Sequence, residues 1–262
     1  MNILRRALAP VSNEGWKEID TFAADYLRNS LTGRRLVDVE GPRGWGYHAA
    51  SNGRLGEIKK TGKVSYGLYD VRPLLELRVP FELDIWELDN AARGAEDVDL
   101  DALEKAAEEA ASFEDGVIFE GLGEAGVTGL SKAGERPSIQ FPQDPEQMIQ
   151  AVSQGIGELM KDGIEGPYSL AVPLEIWKQL SSYIKGRSLK THLEQLLGGS
   201  VLPTRHLEAP LLVSIRGGDF LMTIGQDLSI GYGTHSSTTV ELYFTESFTF
   251  QVLEPRAVVG YK

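Results

Sequence analysis

Apolar residues along this chain follow two periods, and each switch between them marks an element. Near the N-terminus Trp16, Ile19, Phe22, Ala23, Tyr26 and Leu27 recur at three- and four-residue steps. That spacing predicts an amphipathic helix behind a Ser12 or Asn13 cap. From Leu75 to Leu88 the step falls to two: Leu75, Leu77, Val79, Phe81, Leu83 and Ile85 stand against Glu76, Arg78, Glu82 and Asp84. This is a half-buried ribbon, and Pro80 confines it to a sheet edge or a bulge. The helical period returns at Leu100, Leu103, Ala107, Ala110 and Phe113, opened by Asp99 or Asp101. Between about Ser131 and Gly217 short helices and strands mix. One helix has Asp144 as cap, Pro145 in its first turn and Gly163 as its stop. Finally the two-residue step governs DFLMTIGQDLSIGYG and a last long ribbon, with Val240, Leu242, Phe244, Phe248, Phe250 and Val252 as its apolar row. Glu246 stands where that row asks for a hydrophobe.

One stretch fits neither period. GPRGWGYHAASNGRLGEIKKTGKVSYG, residues 41–67, holds seven glycines and only short alternating pieces. It supplies no core and reads as an extended two-stranded arm that must lie on something else. An isolated hairpin is at best marginally stable, so a neighbouring subunit is its natural support.

Composition narrows the classes. At 262 residues the chain forms one large domain or two interleaved ones. It is 42 % hydrophobic and 24 % charged, as an ordinary globular protein is, and no run reaches the roughly 18 apolar residues of a membrane span. MNILRRALAP is too short and too charged for a signal peptide. Cysteine is absent, which removes disulfides and thiolate metal sites and fits the cytosol. The formal charge of −12 repels nucleic acid, and the basic groups at Arg5, Arg6, Arg28, Arg34 and Arg35 and at Lys185, Arg187 and Lys190 lack interleaved aromatics.

Candidate chemistry is sparse. GLGEAG, Gly121–Gly126, matches the dinucleotide pattern G-x-G-x-x-G, but glycines and a proline follow where that fingerprint needs a helix. A glycine-rich surface turn is the ordinary reading. His48, His192, His206 and His235 are scattered, and neither H-E-x-x-H nor G-x-S-x-G occurs. Asp84, Glu87 and Asp89 read as a solvated acidic edge. No catalytic residue and no metal ligand is assigned.

The order of GRRLVDVEGPRGWGYHA, the glycine-rich arm, LRVPFELDIWELDN, FEDGVIFEG, DGIEGPY, RGGDF with GQDLSIGY, and FTESFTFQVLEP resembles the encapsulin shell proteins over essentially the whole length. The resemblance implies an α+β fold of the tailed-phage major capsid (Hong Kong 97) type. It implies a peripheral domain with an N-terminal helix (1–45, 75–130 and 218–262), an extended loop (46–74) and an axial domain (131–217). It also implies a non-catalytic, cytoplasmic subunit that forms a closed icosahedral shell around a cargo enzyme, held by the cargo's C-terminal targeting peptide. Ferritin-like cargo for iron storage is the expected class, and a dye-decolourising peroxidase is the other; nucleic acid and membrane are not expected partners. The long ribbon would run along an elongated wedge, with Glu246 facing a polar seam or an arginine.

Site residues carried over by the resemblance are a cargo-peptide groove of Phe22, Tyr26, Leu27, Ile230 and Tyr232, with Arg34 and Asp38 fixing peptide polarity. Core packing is the competing reading for each. The loop Ser182–Ser188, with Lys185, Gly186 and Arg187, would line a five-fold opening. Arg78 and Trp86 match a flavin-stacking pair of some encapsulins, against a plain packing role for Trp86. Two other readings stand beside this one: a phage or prophage capsid enclosing DNA, and a soluble flavin or nucleotide enzyme. Direct entry into the amphipathic helix, with no long scaffolding segment before it, disfavours the capsid.

Overall fold

A computed structural model describes residues 3–181, 183–184 and 187–262. The chain divides into two compact units: Met1–Ser30, Glu40–Phe113 and Thr223–Thr249 form the first, and Leu31–Val39, Glu114–Met222 and Phe250–Lys262 the second.

In the first unit, helix α1 (Asn13–Ser30) starts where the Ser12 hydroxyl accepts the Gly15 N–H at 3.0 Å, so serine is the cap. Its row Ile19, Ala23 and Leu27 is buried and the helix packs on α2 (Ile85–Arg93). Here the structure departs from the alternation. The ribbon ends at Asp84, whose carboxylate accepts the N–H groups of Trp86 and Glu87, and the residues from Ile85 onward are helical. Two orphan donors at a helix start outweigh two more steps of strand.

The strand Leu75–Asp84 lies antiparallel to the long strand Thr239–Val252, with Val79 opposite Phe244 and Leu77 opposite Glu246. Pro80 is accommodated as expected of an edge, because among the described residues this strand pairs only with the long one. The long strand is 14 residues, against a usual five or six. Leu242, Phe244, Phe248 and Phe250 are fully buried, and Glu246 in the same row is 0 % exposed. A polar seam does exist, at Thr245, Ser247 and Thr249, but alternation puts it on the opposite face of the strand.

The arm is a ribbon in two steps. Ala49–Leu55 pairs with Tyr69–Pro73, and beyond them Lys59–Thr61 pairs with Val64–Tyr66.

The second unit holds a four-stranded sheet in the order Val201–Thr204, Tyr168–Pro173, Leu211–Ser214, Val258–Gly260. The first pair is parallel and the others antiparallel. Residues 168–172 are all buried, the continuous apolar run of a strand covered on both faces. Helix Pro145–Lys161 begins as expected, with the Asp144 carboxylate accepting from Glu146 and Gln147. It lies so close to the sheet that a Cβ on Gly155 would meet Leu212 Cδ2 at 3.0 Å. GLGEAG closes as a hairpin, Gly121 opposite Thr128, with no nucleotide-binding helix after it. The segments 31–39, 114–130 and 250–262 cluster with the insert rather than with the ribbons, so the boundary expected at 131 lies at 114. Helix α3 (Asp101–Phe119) explains the shift: its Glu114 and Asp115 side chains are bonded to residues 32–34.

Candidate functional site

On α1 the sequence-predicted residues separate into two roles. Leu27 is buried with Ile19 and Ala23, whereas Phe22 and Tyr26 stay half-exposed on one flank with their rings stacked at 6.5 Å. Ile230 is 4 % exposed and belongs to the core. Tyr232, two residues on, is half-exposed; its N–H donates to the Leu4 carbonyl at 2.8 Å and its hydroxyl meets His235 Nδ1. Phe22 and Tyr26 therefore meet each other, while Tyr232 meets the N-terminal segment.

That segment was not among the predicted site residues. The short 3-10 turn Arg6–Leu8 lies against the strand Ser229–His235. The Arg6 guanidinium sits 3.9 Å from the Trp16 ring and bonds Asp20 at 2.7 Å. Trp16 and Asp20 are four apart, so they share one flank of α1. By helical rotation this is the flank opposite Phe22 and Tyr26 across the buried row. The available signal was the cluster of Arg5 and Arg6 ahead of a tryptophan.

Arg34 is committed within its own unit. Its Nε and Nη2 donate to both oxygens of Glu114 at 2.6–3.0 Å, with the carboxylate wholly buried. This fork geometry is the strong form of an ion pair, and it takes the guanidinium out of the polarity-fixing role. Next along α3, the Asp115 carboxylate accepts the N–H groups of Thr32 and Gly33 at 3.1 and 2.8 Å. Burial pushes its pKa up to about 7, opposed by those two bonds and reinforced by the neighbouring Glu114 charge. Asp38 accepts the Gly218 N–H at 2.6 Å and lines a pocket of about 190 Å³ together with Arg35, Leu36, Ile215 and Phe220. His206 stacks on Phe119 and bonds Glu120.

Arg78 and Trp86 are engaged apart. The Arg78 guanidinium bonds Glu76 and lies 4.9 Å from the Tyr243 ring. Trp86, in the first turn of α2, is 65 % exposed and has Arg93 over its ring at 5.8 Å. The packing role is thereby excluded for Trp86 within the subunit. Lys185 and Gly186 lie outside the described residues, and of Arg187 only the backbone is described, paired with Ile184. Among the described residues no group of three His, Asp or Glu is placed to hold a metal ion.

The arrangement offers surfaces: stacked aromatics, a strand edge and an exposed ribbon. Residues 1–249 match the family described as "Encapsulating protein for peroxidase". The type 1 encapsulin shell protein of Mycobacterium tuberculosis is 37 % identical over 262 residues, covering 99 % of each chain. That of Brevibacterium linens is 37 % identical over 262 residues, 99 % of this chain and 98 % of the other. Among solved structures, the virus-like particle from Pyrococcus furiosus superposes with a TM-score of 0.65 at 15 % identity, over 94 % of this chain and 99 % of that one. The fold is that of the tailed-phage capsid proteins, and the chain belongs to the family of type 1 encapsulin shell proteins.

Proposed function

We propose that the chain is the self-assembling subunit of a cytoplasmic encapsulin shell. Its arm lies on a neighbouring copy, and a cargo enzyme docks by a C-terminal peptide on the half-exposed flank of α1 that carries Phe22 and Tyr26. The arm is the observation that carries the assembly reading. Leu55, Ile58, Val64, Tyr66, Leu68, Tyr69 and Val71 are 45–78 % exposed on this two-stranded ribbon. A soluble subunit rarely leaves a row of large apolar side chains uncovered, and a second copy of the same chain is the cover that symmetry supplies. Deleting residues 50–63 should leave subunits that do not close into particles under negative-stain microscopy and sedimentation. Unchanged hollow particles would refute the arm assignment, and particles filled with nucleic acid would favour a capsid.

Phe22 and Tyr26 give cargo a small aromatic step, with about 0.8 kcal/mol per buried CH₂. Such a contact is weak singly and effective when many cargo tails act together. Phe22→Asp should abolish cargo co-purification while particles persist; normal loading would refute this docking face. Ferritin-like cargo, with iron storage as the outcome, rests on the family resemblance. It is tested by asking whether particles expressed with a ferritin-like protein bearing a targeting tail retain iron mineral.

A further inference from the structure

We propose that Asn52–Gly53 is a self-modification site, at which the arm converts its own asparagine into aspartate or isoaspartate and thereby limits how long an undocked subunit stays competent to assemble. The chemistry stands on the local geometry alone, and its consequence for assembly rests on the arm reading above.

The chain has five asparagines, and Asn52 is the one followed by glycine. Asn29 and Asn90 lie in α1 and α2, where the helical ladder fixes the next peptide nitrogen. Around Asn52 the arm's ladder is broken. Ser51 pairs with Val71, pairing resumes only at Leu55 with Tyr69, and residues 52–54 bulge out opposite Asp70. The Gly53 N–H donates to the Ser51 hydroxyl at 3.2 Å, a rotor that turns away at little cost. Gly53 has φ 65°, and nothing stands within 4 Å of the place a Cβ would take. Neither a side chain of its own nor a packed neighbour therefore crowds the turn. The Asn52 amide is positioned by Asp70, whose Oδ2 accepts from Nδ2 at 2.7 Å. Ser51, Gly53 and Arg54 are exposed, so water reaches the bulge.

Water is the one co-reactant. The Gly53 nitrogen, having given its proton to hydroxide, attacks Asn52 Cγ. The N–Cγ bond forms, the Cγ–Nδ2 bond breaks, and the leaving nitrogen takes a proton from water and departs as ammonia. Attack within one chain runs at an effective concentration far above that of a solute. Water then opens the five-membered imide at either carbonyl carbon. Breaking N–Cγ restores the main chain with aspartate at position 52. Breaking the bond between that nitrogen and the main-chain carbonyl carbon of residue 52 routes the chain through Cγ, as isoaspartate. Both products set a carboxylate opposite Asp70, where like charges weaken a strand pair. Isoaspartate also lengthens the main chain by one carbon ahead of Leu55, Ile58, Val64 and Leu68, the exposed side chains that docking would cover. An undocked arm therefore ages, whereas an arm held against a second copy has its bulge fixed.

The test incubates full-length protein in water enriched in heavy oxygen and maps its peptides by mass spectrometry. Residue 52 should convert with uptake of solvent oxygen, with isoaspartate among the products. Its rate should rise about tenfold per pH unit near neutrality, following the deprotonated fraction of the Gly53 amide. Asn52→Gln keeps an amide but must close a larger ring, and it should convert at least about tenfold more slowly. Conversion at Asn52 no faster than at Asn29 and Asn90 would overturn the proposal. Sedimentation of the same preparation separates closed particles from free subunits, and the free subunits should carry about threefold more converted residue 52. Equal conversion in the two fractions would overturn the limit on competence. Asn52→Asp should close into particles about threefold less readily, and adding Asp70→Asn, which rebuilds the amide–carboxylate pair in reverse, should restore closure. A normal particle yield from Asn52→Asp alone would also overturn that limit. Normal shells from protein lacking residues 50–63 would instead refute the arm reading, and leave the conversion measured on the intact chain as it stands.

Discussion

The arm and the long strand invert each other. On the arm, Val64, Leu68 and Tyr69 face water at 63, 78 and 74 % exposure, while on the long strand even Glu246 is sealed off. Both segments are ribbons with alternating pieces, so alternation alone does not decide burial. What decides it is whether a second layer lies over the ribbon. The long strand has partners along its length, whereas among the described residues the arm's four strands pair only with one another. Charge follows the same division. The Asn52–Asp70 contact of the arm is exposed, and the Arg34–Glu114 pair of the second unit is closed over on its carboxylate side.

The sharpest way to break this comparison is in the core. Phe248→Ala should cost about 3–5 kcal/mol in denaturant unfolding of dissociated subunits, the usual loss for a fully buried aromatic ring; a loss below about 1 kcal/mol would mean that the long strand is not the packed element. Arg34→Ala comes next, at about 3 kcal/mol or more, because it strands the Glu114 carboxylate in a buried site. The double change Arg34→Met/Glu114→Leu should recover most of that stability, and failure to recover it would place the cost in lost packing.

Asp115 gives a smaller effect that depends on pH. Its folded pKa of about 7 lies above the ordinary 3.8, so the folded state holds the proton more tightly than the unfolded chain does. The resulting stabilisation is complete below about pH 4 and is lost as pH rises through about 7. The decline should amount to about 2–4 kcal/mol and be absent from Asp115→Asn; equal slopes in both proteins would exclude Asp115 as the source. At the small end, Leu68→Ala should change subunit unfolding by less than about 0.5 kcal/mol and still lower the yield of closed particles. A large loss of subunit stability would show that the arm is covered within its own chain.

Local signals carried much of the architecture. Ser12, Asp144 with Pro145, the glycine-rich ribbon and the apolar row of the long strand are all decided within a few residues, and the structure follows them. The turn from strand to helix at Asp84 was also written locally, as a cap with Glu87 three residues on, but Ile85 continued the two-residue step and masked it. Phe113 misled in another way. It fits the helical row of Leu103, Ala107 and Ala110 by spacing, yet it is 41 % exposed and Glu114 takes the buried place. Periodicity cannot separate positions one residue apart on a helix, and a carboxylate's distant arginine is invisible to it. The Arg6–Trp16–Asp20 contact was obscured for the same reason: a six-residue segment with no period of its own is placed by the surfaces it finds.

Trp86 carries a practical consequence. A ring so open to water emits at long wavelength, and its neighbour Arg93 places a cation beside it. The difference spectrum between native and Trp86→Phe protein therefore isolates one indole as a dye already in place. Followed during assembly, a shift of that emission toward the blue would time the moment at which this face is covered, and a constant colour would leave it facing solvent in the finished particle.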